Sequence, residues 1–423
     1  MNAADQYLDS LKILVEKATN NSDSPKIRKE LLSTIRNTPQ EIVVTKRHKE
    51  SGAYFTNFKL AQRLVSPWAK TLRNGKVKVL DPSCGAGDLL LAIASQLPIK
   101  RNLTETIAYW QKCIYGCDIH PVFTQITKLR LITLALSRGT RADKLPDIAR
   151  VFTGIICQDF TNYSDLKKMS HIILNPPFTH SLINEKCSWG TGLISQAGLF
   201  LDRALTQSSR NAEIAAILPD VLRTGARYRL WREKVESLSK IKRINIIGSF
   251  GSADIDVFTI HLTKRKEQSS TVKSWYPKIR ANNIGNCFTV HIGAVVPHRD
   301  PELGKEVPFF DARSVPPWKI ITKTLKKRRF KGTLHTPPFV LVRRTSSPND
   351  LFRAKASVIN YKIPVAIENH LLVLSPNDNT LKSCVDLMKY LKSDSVSHWL
   401  NKRIRCRHLT VDSLKTIPYL GEL

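Results

Sequence analysis

Short apolar runs alternate with longer segments of helical periodicity between about residues 49 and 270 of the chain. The runs are VKVLD (77–81), IYGCD (114–118), VFTGIIC (151–157), HIIL (171–174), EIAAIL (213–218), INIIGSF (244–250) and DIDVFTIHLTK (254–264). Strands that alternate with helices form a mostly parallel sheet with helices on both faces. We therefore expect an α/β domain of Rossmann-like type in this region.

The two ends of the chain have a different pattern. Residues 1–48 predict helices around the polar segment TNNSDSPK (19–26), and prolines, short strands and basic clusters follow residue 272. The expected organisation is an N-terminal helical segment (1–48), the α/β domain (49–272) and a C-terminal mixed α+β domain (273–423).

Positive charge dominates the composition. The 423 residues carry a formal net charge of +31, and the stretch from Ala312 to Arg344 contains ten Lys or Arg and no acid. Such a surplus indicates a polyanionic partner, most simply nucleic acid, although a solvated basic face and an acidic membrane surface are alternatives. We expect no membrane span, because no run of about 18 apolar residues occurs. The N-terminus lacks the features of a signal peptide, which favours a cytoplasmic protein.

Cysteine spacing argues against a metal centre. The eight cysteines are scattered, and no histidine follows Cys113 and Cys117 at the spacing of a zinc site. We expect reduced thiols and no metal.

Acidic residues stand at the ends of three successive predicted strands. Asp81 precedes a turn containing Gly85 and Gly87, Asp118 ends the second strand, and Asp159 follows the third beside Phe160. Glycines let the backbone approach a ligand, whereas Asp81 would repel a pyrophosphate. One acid for an amino group, one for a ribose and one with a ring for a base together describe S-adenosylmethionine. The alternative for each acid is a helix N-cap.

Five segments in a fixed order carry a resemblance to a known family. They are SGAYFTNFKLAQRLV (51–65), DPSCGAG (81–87), GCDIHP (116–121), QDF (158–160) and NPPF (175–178). In this order they resemble the gamma class of N6-adenine DNA methyltransferases, which use S-adenosylmethionine. The resemblance covers about residues 48–270, and it implies a methyltransferase sheet followed by a C-terminal DNA target recognition domain.

The resemblance also implies residue roles. The family pattern would make Asn175, Pro176, Pro177 and Phe178 catalytic and would stack Phe178 and Phe250 on the target base. The implied cofactor-binding residues are Tyr54, Thr56, Asp81, Ser83, Gly85, Gly87, Asp118, Ile119, Asp159, Phe160 and Asn175. The candidate DNA contacts are Arg313, Lys326, Lys327, Arg328, Arg329, Arg343 and Arg344.

The tetrapeptide NPPF suits the chemistry of an aromatic amine. The Asn175 carboxamide oxygen and the Pro176 carbonyl could each accept one N–H of an adenine amine, which would direct the nitrogen lone pair at a methyl donor. Proline offers no competing donor and has a fixed φ. Phe178 would stack on a base taken out of the duplex.

The expected activity is adenine methylation of double-stranded DNA in a restriction-modification or defence system, by a monomer. Further partners to consider are a cognate restriction endonuclease, a specificity subunit and other defence subunits. The alternatives are an RNA or protein-glutamine methyltransferase, and a DNA-binding subunit with a vestigial cofactor pocket.

Overall fold

The computed structural model describes residues 3–20, 24–36, 56–250, 253–265 and 275–420. These residues form two compact units, one from the described residues up to 265 and one from residues 275–420. None of the described helices is both long and apolar enough to cross a membrane.

Nine strands lie in the described residues of the first unit, numbered in chain order. They are β1 (Val79–Asp81), β2 (Ile114–Asp118), β3 (Ile155–Cys157), β4 (His171–Leu174), β5 (His180–Cys187), β6 (Gly190–Ser195), β7 (Glu213–Pro219), β8 (Ser239–Phe250) and β9 (Ala253–Lys264).

Helices connect these strands. The α-helices are α1 (Ala3–Asn20), α2 (Pro25–Arg36), α3 (Phe58–Val65), α4 (Ala69–Arg73), α5 (Asp88–Ala94), α6 (Leu103–Trp110), α7 (Pro121–Ser137), α8 (Gln196–Gln207), α9 (Asp220–Thr224) and α10 (Arg229–Leu238). Short 3-10 turns are Ser66–Trp68, Phe160–Asn162, Asp165–Lys168 and Ala226–Tyr228.

Seven of the strands form one mostly parallel sheet in the order β3-β2-β1-β4-β7-β9-β8. The pairs β3–β2, β2–β1, β1–β4 and β4–β7 are parallel, whereas β9 runs antiparallel to both β7 and β8. The predicted fold class is therefore confirmed. Because the chain moves outward in opposite directions from β1 and from β4, the carboxyl ends of these two strands border a topological switch point, where open α/β sheets bind ligands.

The N-terminal helices pack on the sheet-containing part of the first unit. An apolar stripe of α1, with Leu8, Leu11, Leu14 and Val15 buried, packs with α2 against α7. Leu11, Leu14, Val15 and the buried Ala18 follow the i, i+3, i+4 and i+7 spacing of one helix face. The predicted helical segment is thus part of the core that supports the sheet.

A β-hairpin absent from the sequence predictions follows NPPF directly. Strands β5 and β6 pair antiparallel, outside the main sheet, with Ser181 opposite Ile194 and Leu182 opposite Leu193. The segment does not show a clear alternation of apolar and polar residues, which explains why periodicity did not reveal it.

The second unit is mixed α+β, as expected from the sequence. Its strands are β10 (Phe288–Ile292), β11 (Lys305–Phe310), β12 (Ile320–Ile321), β13 (Lys327–Phe330), β14 (Phe339–Arg343), β15 (Ala356–Ile359), β16 (Ala366–Ile367) and β17 (Leu371–Pro376). Its helices are α11 (Ile284–Cys287), α12 (Leu381–Leu391), α13 (Asp394–Arg403) and α14 (Val411–Lys415). A five-stranded sheet in the order β10-β17-β14-β15-β12 and a three-stranded sheet in the order β13-β11-β16 form its framework.

Candidate functional site

A cavity of about 640 Å³ opens at the carboxyl edge of the parallel sheet, beside the switch point. Small-molecule sites span roughly 300–1,000 Å³. The structure brings ten of the predicted site residues into its wall, namely Thr56, Asp81, Ser83, Gly85, Asp118, Ile119, Asp159, Phe160, Asn175 and Pro177. Residues from five separate sequence segments therefore meet in one place.

The glycine turn between β1 and α5 forms one wall of the cavity. Gly85 and Gly87 have φ angles of 50° and 87°, a conformation that residues with a Cβ rarely adopt. A Cβ on Gly87 would lie 2.8 Å from the Cγ2 of Thr127 on α7, and the Thr127 hydroxyl donates to the Gly85 carbonyl at 2.8 Å. Helix α7 thus holds the turn in place, and only glycine fits at position 87.

Asp81 is a buried acid at the end of β1. Its side chain is 1 % exposed and accepts a hydrogen bond from the Ser83 amide at 3.1 Å. The pKa of this carboxyl is raised to about 8, mainly by burial and to a smaller extent by the nearby Asp118 and Asp88 carboxylates, while the Ser83 bond lowers it. A cationic ligand group beside Asp81 would offset this cost of burial.

Asp118 connects the end of β2 to the glycine turn. One carboxylate oxygen accepts from the Gly85 amide and the other from the His120 amide, each at 2.9 Å. The neighbouring Ile119 is 59 % exposed on the cavity wall. This apolar side chain is therefore available to cover the flat face of a ligand ring.

Asp159 combines the two roles considered for it. Its Oδ1 accepts from the amide and the hydroxyl of Thr161 at 2.7 and 2.8 Å, so it caps a 3-10 turn while lining the cavity. Phe160 is only 2 % exposed, and its ring packs on that of Phe200 with centroids 5.0 Å apart. Phe200, on α8, also lines the cavity and is only partly buried.

Asn175 occupies the end of β4, opposite the glycine turn. Its carboxamide nitrogen donates to the Thr56 hydroxyl at 2.8 Å, and its backbone carbonyl accepts from the Ser83 hydroxyl at 3.3 Å. The bond to Thr56 therefore places the nitrogen of the Asn175 carboxamide on the side of threonine. The carboxamide oxygen is the end that can accept a substrate N–H.

Two residues absent from the sequence predictions support Thr56 from behind. The Thr56 amide donates to one carboxylate oxygen of Asp88 at 3.1 Å, and Arg130 binds the other at 2.8 Å. Arg130 is fully buried and also donates to the Ala86 and Ile35 carbonyls. An arginine within the apolar sequence of α7 was the only available signal, because charged residues are rarely fully buried without a partner.

The two predicted base-stacking residues contact each other. Phe178 and Phe250 are 7 % and 4 % exposed, and their rings lie edge to face with centroids 5.6 Å apart. Both are absent from the wall of the cavity, as are Gly87 and Pro176. Tyr54, the remaining predicted site residue, lies outside the described residues.

The predicted DNA contacts divide by exposure. Lys326, Lys327 and Arg329 are exposed, as is Arg313, whereas Arg343 and Arg344 are partly buried. The exception is Arg328, whose side chain is 8 % exposed. It donates to Glu302 at 3.1 Å and to the Asp300 carbonyl at 2.6 Å. Since its side chain is buried and its two terminal nitrogens bind protein acceptors, Arg328 is a structural residue in this unit, and the role expected for it as a phosphate contact does not fit its position.

Within the described residues, no cluster of His, Cys, Asp and Glu side chains is arranged to hold a metal ion.

The strand order, the switch-point cavity and the acid-lined glycine turn define a Rossmann-like methyltransferase fold. A comparison with models of protein families adds a second finding. Residues 41–216 match the model described as N-6 DNA Methylase. This match agrees with the resemblance carried by the five motifs.

Several of the solved structures that are similar to this chain belong to restriction-modification enzymes. MmeI, a type IIL enzyme solved in complex with DNA, is 14 % identical with a TM-score of 0.53 over 93 % of this chain and 70 % of its own. The type IIG restriction endonuclease BpuSI is 12 % identical, with a TM-score of 0.47 over 99 % of this chain and 70 % of its own.

A modification subunit ascribed to a type I restriction enzyme of Vibrio vulnificus YJ016 is 16 % identical, with a TM-score of 0.42 over 56 % of this chain. This chain spans 49 % of the length of that subunit.

Proposed function

We propose that this protein transfers a methyl group from S-adenosylmethionine to the N6 amine of an adenine in duplex DNA. The observation that carries the proposal is the position of Asn175-Pro176-Pro177-Phe178. The Asn175 side chain lies across the switch point from the glycine turn, in one cavity with three strand-end acids. The family of residues 41–216 supports the same reaction.

The cavity suits the proposed cofactor chemically. Asp81 is a buried carboxyl with a raised pKa, and an ammonium group beside it would lower that pKa. Asp118, at the end of β2, lines the same cavity and is available to ribose hydroxyls. Asp159, Ile119 and Phe200 offer an acceptor and two apolar surfaces for an adenine ring. When bound, S-adenosylmethionine would supply an electrophilic methyl group.

The residues at the end of β4 would prepare the acceptor amine. The Asn175 carboxamide oxygen and the Pro176 carbonyl would each accept one N–H, which would turn the nitrogen lone pair out of the plane of the ring. Thr56 would hold the Asn175 amide by accepting from its nitrogen. Rigid positioning of this kind lowers the entropic part of the barrier.

The charge of the chain supports DNA as the substrate. The net charge of +31 favours a polyanion, and Lys326, Lys327 and Arg329 present cations on the second unit. We assign this unit as a target recognition domain. A restriction-modification or defence setting, with a cognate endonuclease or other subunits as partners, is consistent with the family and with enzymes of the same fold.

Parallel incubation of the protein with labelled S-adenosylmethionine and duplex DNA, RNA or protein tests the proposal. We expect label in duplex DNA, and long-read sequencing of that DNA should give the modified atom and the recognition sequence. Label only in RNA or protein would contradict the proposal and favour the corresponding methyltransferase. Absence of cofactor binding in a calorimetric titration would instead favour a DNA-binding subunit.

The variant Asn175→Ala tests the assigned chemistry. It should abolish methyl transfer while leaving the cofactor dissociation constant within about threefold of the wild-type value, because the acceptor oxygen acts on the substrate amine. Loss of cofactor affinity with the same substitution would show that Asn175 acts in cofactor binding instead.

A further inference from the structure

The β5–β6 hairpin begins and ends in the wall of the cavity. Ser181, near its start, and Gln196, directly after its end, both line the cavity. The Gln196 amide nitrogen donates to the Ser181 hydroxyl at 2.6 Å, and its oxygen accepts from the Thr179 hydroxyl at 2.7 Å. The two strands therefore rise from a point next to NPPF.

The turn of the hairpin is anchored to the protein. Trp189, between the strands, is 2 % exposed, and its indole nitrogen donates to Asp202 on α8 at 3.1 Å. Lys234 on α10 binds the same carboxylate at 2.7 Å. A second attachment joins Arg227 to the Thr191 carbonyl at 2.7 Å. These two attachments, from different elements, make the hairpin a stiff projection.

The outer face of the hairpin carries an exposed apolar pair. Successive strand residues point to opposite faces, so Ile194 is fully buried while the next pair, Leu182 and Leu193, faces outward. Leu182 is 67 % exposed and Leu193 is 56 % exposed. Residues directly opposite in an antiparallel pair have Cβ atoms only ~5 Å apart. The two leucines thus form one small apolar patch.

The surroundings of this apolar patch favour, as its binding partner, a polyanion that contains apolar surfaces. The exposed Arg227 is bound to β6 at Thr191, two residues from Leu193, and the whole chain is strongly basic. Taking a base out of a duplex leaves a gap with exposed flat faces, and proteins that deform DNA insert leucine and similar side chains between base steps. Duplex DNA with one base withdrawn provides both features, because its phosphate backbone is negative and the gap between its stacked bases is apolar.

We propose that Leu182 and Leu193 form a wedge that enters duplex DNA at the base pair from which the target base is withdrawn. This inference rests on the proposed function of the same site. The wedge would replace part of the stacking lost when the base leaves, and its stiffness would avoid an ordering cost on binding.

The test compares two DNA duplexes carrying the recognition site, one intact and one with an abasic position opposite the target adenine. The variant L182S/L193S should methylate the intact duplex about tenfold more slowly or worse, because the extruded state loses its support. On the abasic duplex, where the base is already unpaired, the loss should be much smaller. Cofactor affinity, measured by calorimetry, should be unchanged.

Matched controls separate this result from general damage. Leu145→Ser removes a leucine that is 49 % exposed in the same unit and should leave both rates at the wild-type level. L182A/L193A keeps an apolar surface and should give an intermediate loss, with a thermal transition like that of the wild type.

Three outcomes would overturn the wedge. They are an unchanged rate on the intact duplex, an equal loss on both duplexes, and loss of self-association in L182S/L193S with unchanged methylation. The last would identify the pair as a contact between copies of this chain. If the wild-type protein methylates neither duplex while RNA or protein is labelled, the proposed function itself fails, and the wedge fails with it.

Discussion

A hydrogen bond between two residues 119 positions apart determines the orientation of the proposed catalytic amide. Thr56 was expected from the family resemblance to contact the cofactor, and its hydroxyl accepts from the Asn175 side chain. Its own amide is held by Asp88. We therefore propose Thr56 as a positioning residue for the asparagine.

The variant Thr56→Val keeps the shape of the side chain but removes the acceptor. We expect kcat to fall about tenfold or more, with the KM for DNA nearly unchanged, because a misplaced amide acts mainly in the transition state. Steady-state methylation kinetics measure both constants. The control Thr56→Ser retains the hydroxyl and should recover most of kcat, and equal losses in the two variants would exclude the positioning role.

The buried carboxyl of Asp81 leads to a second prediction at the residue scale, namely that cofactor affinity depends on pH. Its pKa of about 8 means that the carboxyl is mostly protonated at neutral pH before a ligand binds. A cationic amine binds the ionised carboxylate, so affinity should weaken about tenfold for each pH unit below 8. Calorimetry between pH 6 and 8, in buffers of different ionisation enthalpy, should also detect proton release on cofactor binding at pH 7.

The matched variant for this prediction is Asp81→Asn. It should bind S-adenosylmethionine weakly, with an affinity that hardly varies between pH 6 and 8 and with no proton release. A wild-type affinity that is independent of pH in this range would exclude Asp81 as the partner of the cofactor amine.

Strand β13 changes the interpretation of the basic run at the element scale. In the sequence, KKRR (326–329) is a block of equivalent charges. In the strand, Lys327 and Arg329 face solvent, whereas Arg328 points inward to Glu302 and to backbone carbonyls. The two-residue period of a strand sends neighbouring charges to opposite faces. Only one face can contact a phosphate backbone.

The exposed face can be tested by the double variant K327Q/R329Q. We expect the slope of log K against log salt concentration for DNA binding to become shallower by about 1.8, at roughly 0.9 for each lost phosphate contact. Fluorescence anisotropy titrations over a range of salt concentrations measure the slope. A slope equal to that of the wild type would remove this face from the interface.

Arg328→Gln provides the internal comparison. It should leave the salt slope unchanged but lower the stability of the second unit by about 1–3 kcal/mol, because the Glu302 carboxylate and the Asp300 carbonyl lose a charged donor. Urea denaturation measures this change.

At the largest scale, the side chain of Arg130 joins parts of the first unit that are far apart in the sequence. From α7 it donates to Ala86 in the glycine turn, to Asp88 behind Thr56, and to Ile35 at the end of α2. One side chain therefore connects the N-terminal helices with two walls of the cavity. This arrangement explains how the N-terminal segment supports a site to which it contributes no described lining residue.

Arg130→Met removes the charge and leaves Asp88 as a buried carboxylate without its ion partner. We expect the free energy of unfolding to fall by about 3–5 kcal/mol, the usual cost of breaking a buried pair. The double variant D88N/R130M should regain part of this loss, since no uncompensated charge remains. Urea denaturation checks both values, and a single variant as stable as the wild type would contradict the role assigned to Arg130.

The sequence by itself determined which segments form the strands of the sheet, the fold class and the residues gathered at the sheet edge. These properties follow from local signals, namely the apolar period of each element, glycine before a helix and acids at strand ends. The seven predicted strands of the sheet are present, and ten predicted site residues line one cavity.

Only the tertiary structure decided which of these side chains face each other. It paired Asn175 with Thr56, buried Arg328 and Arg130, packed Phe178 on Phe250 and raised the hairpin beside the cavity. The physical reason is that burial and hydrogen-bond partners depend on atoms far apart in the chain, whose approach no local periodicity records.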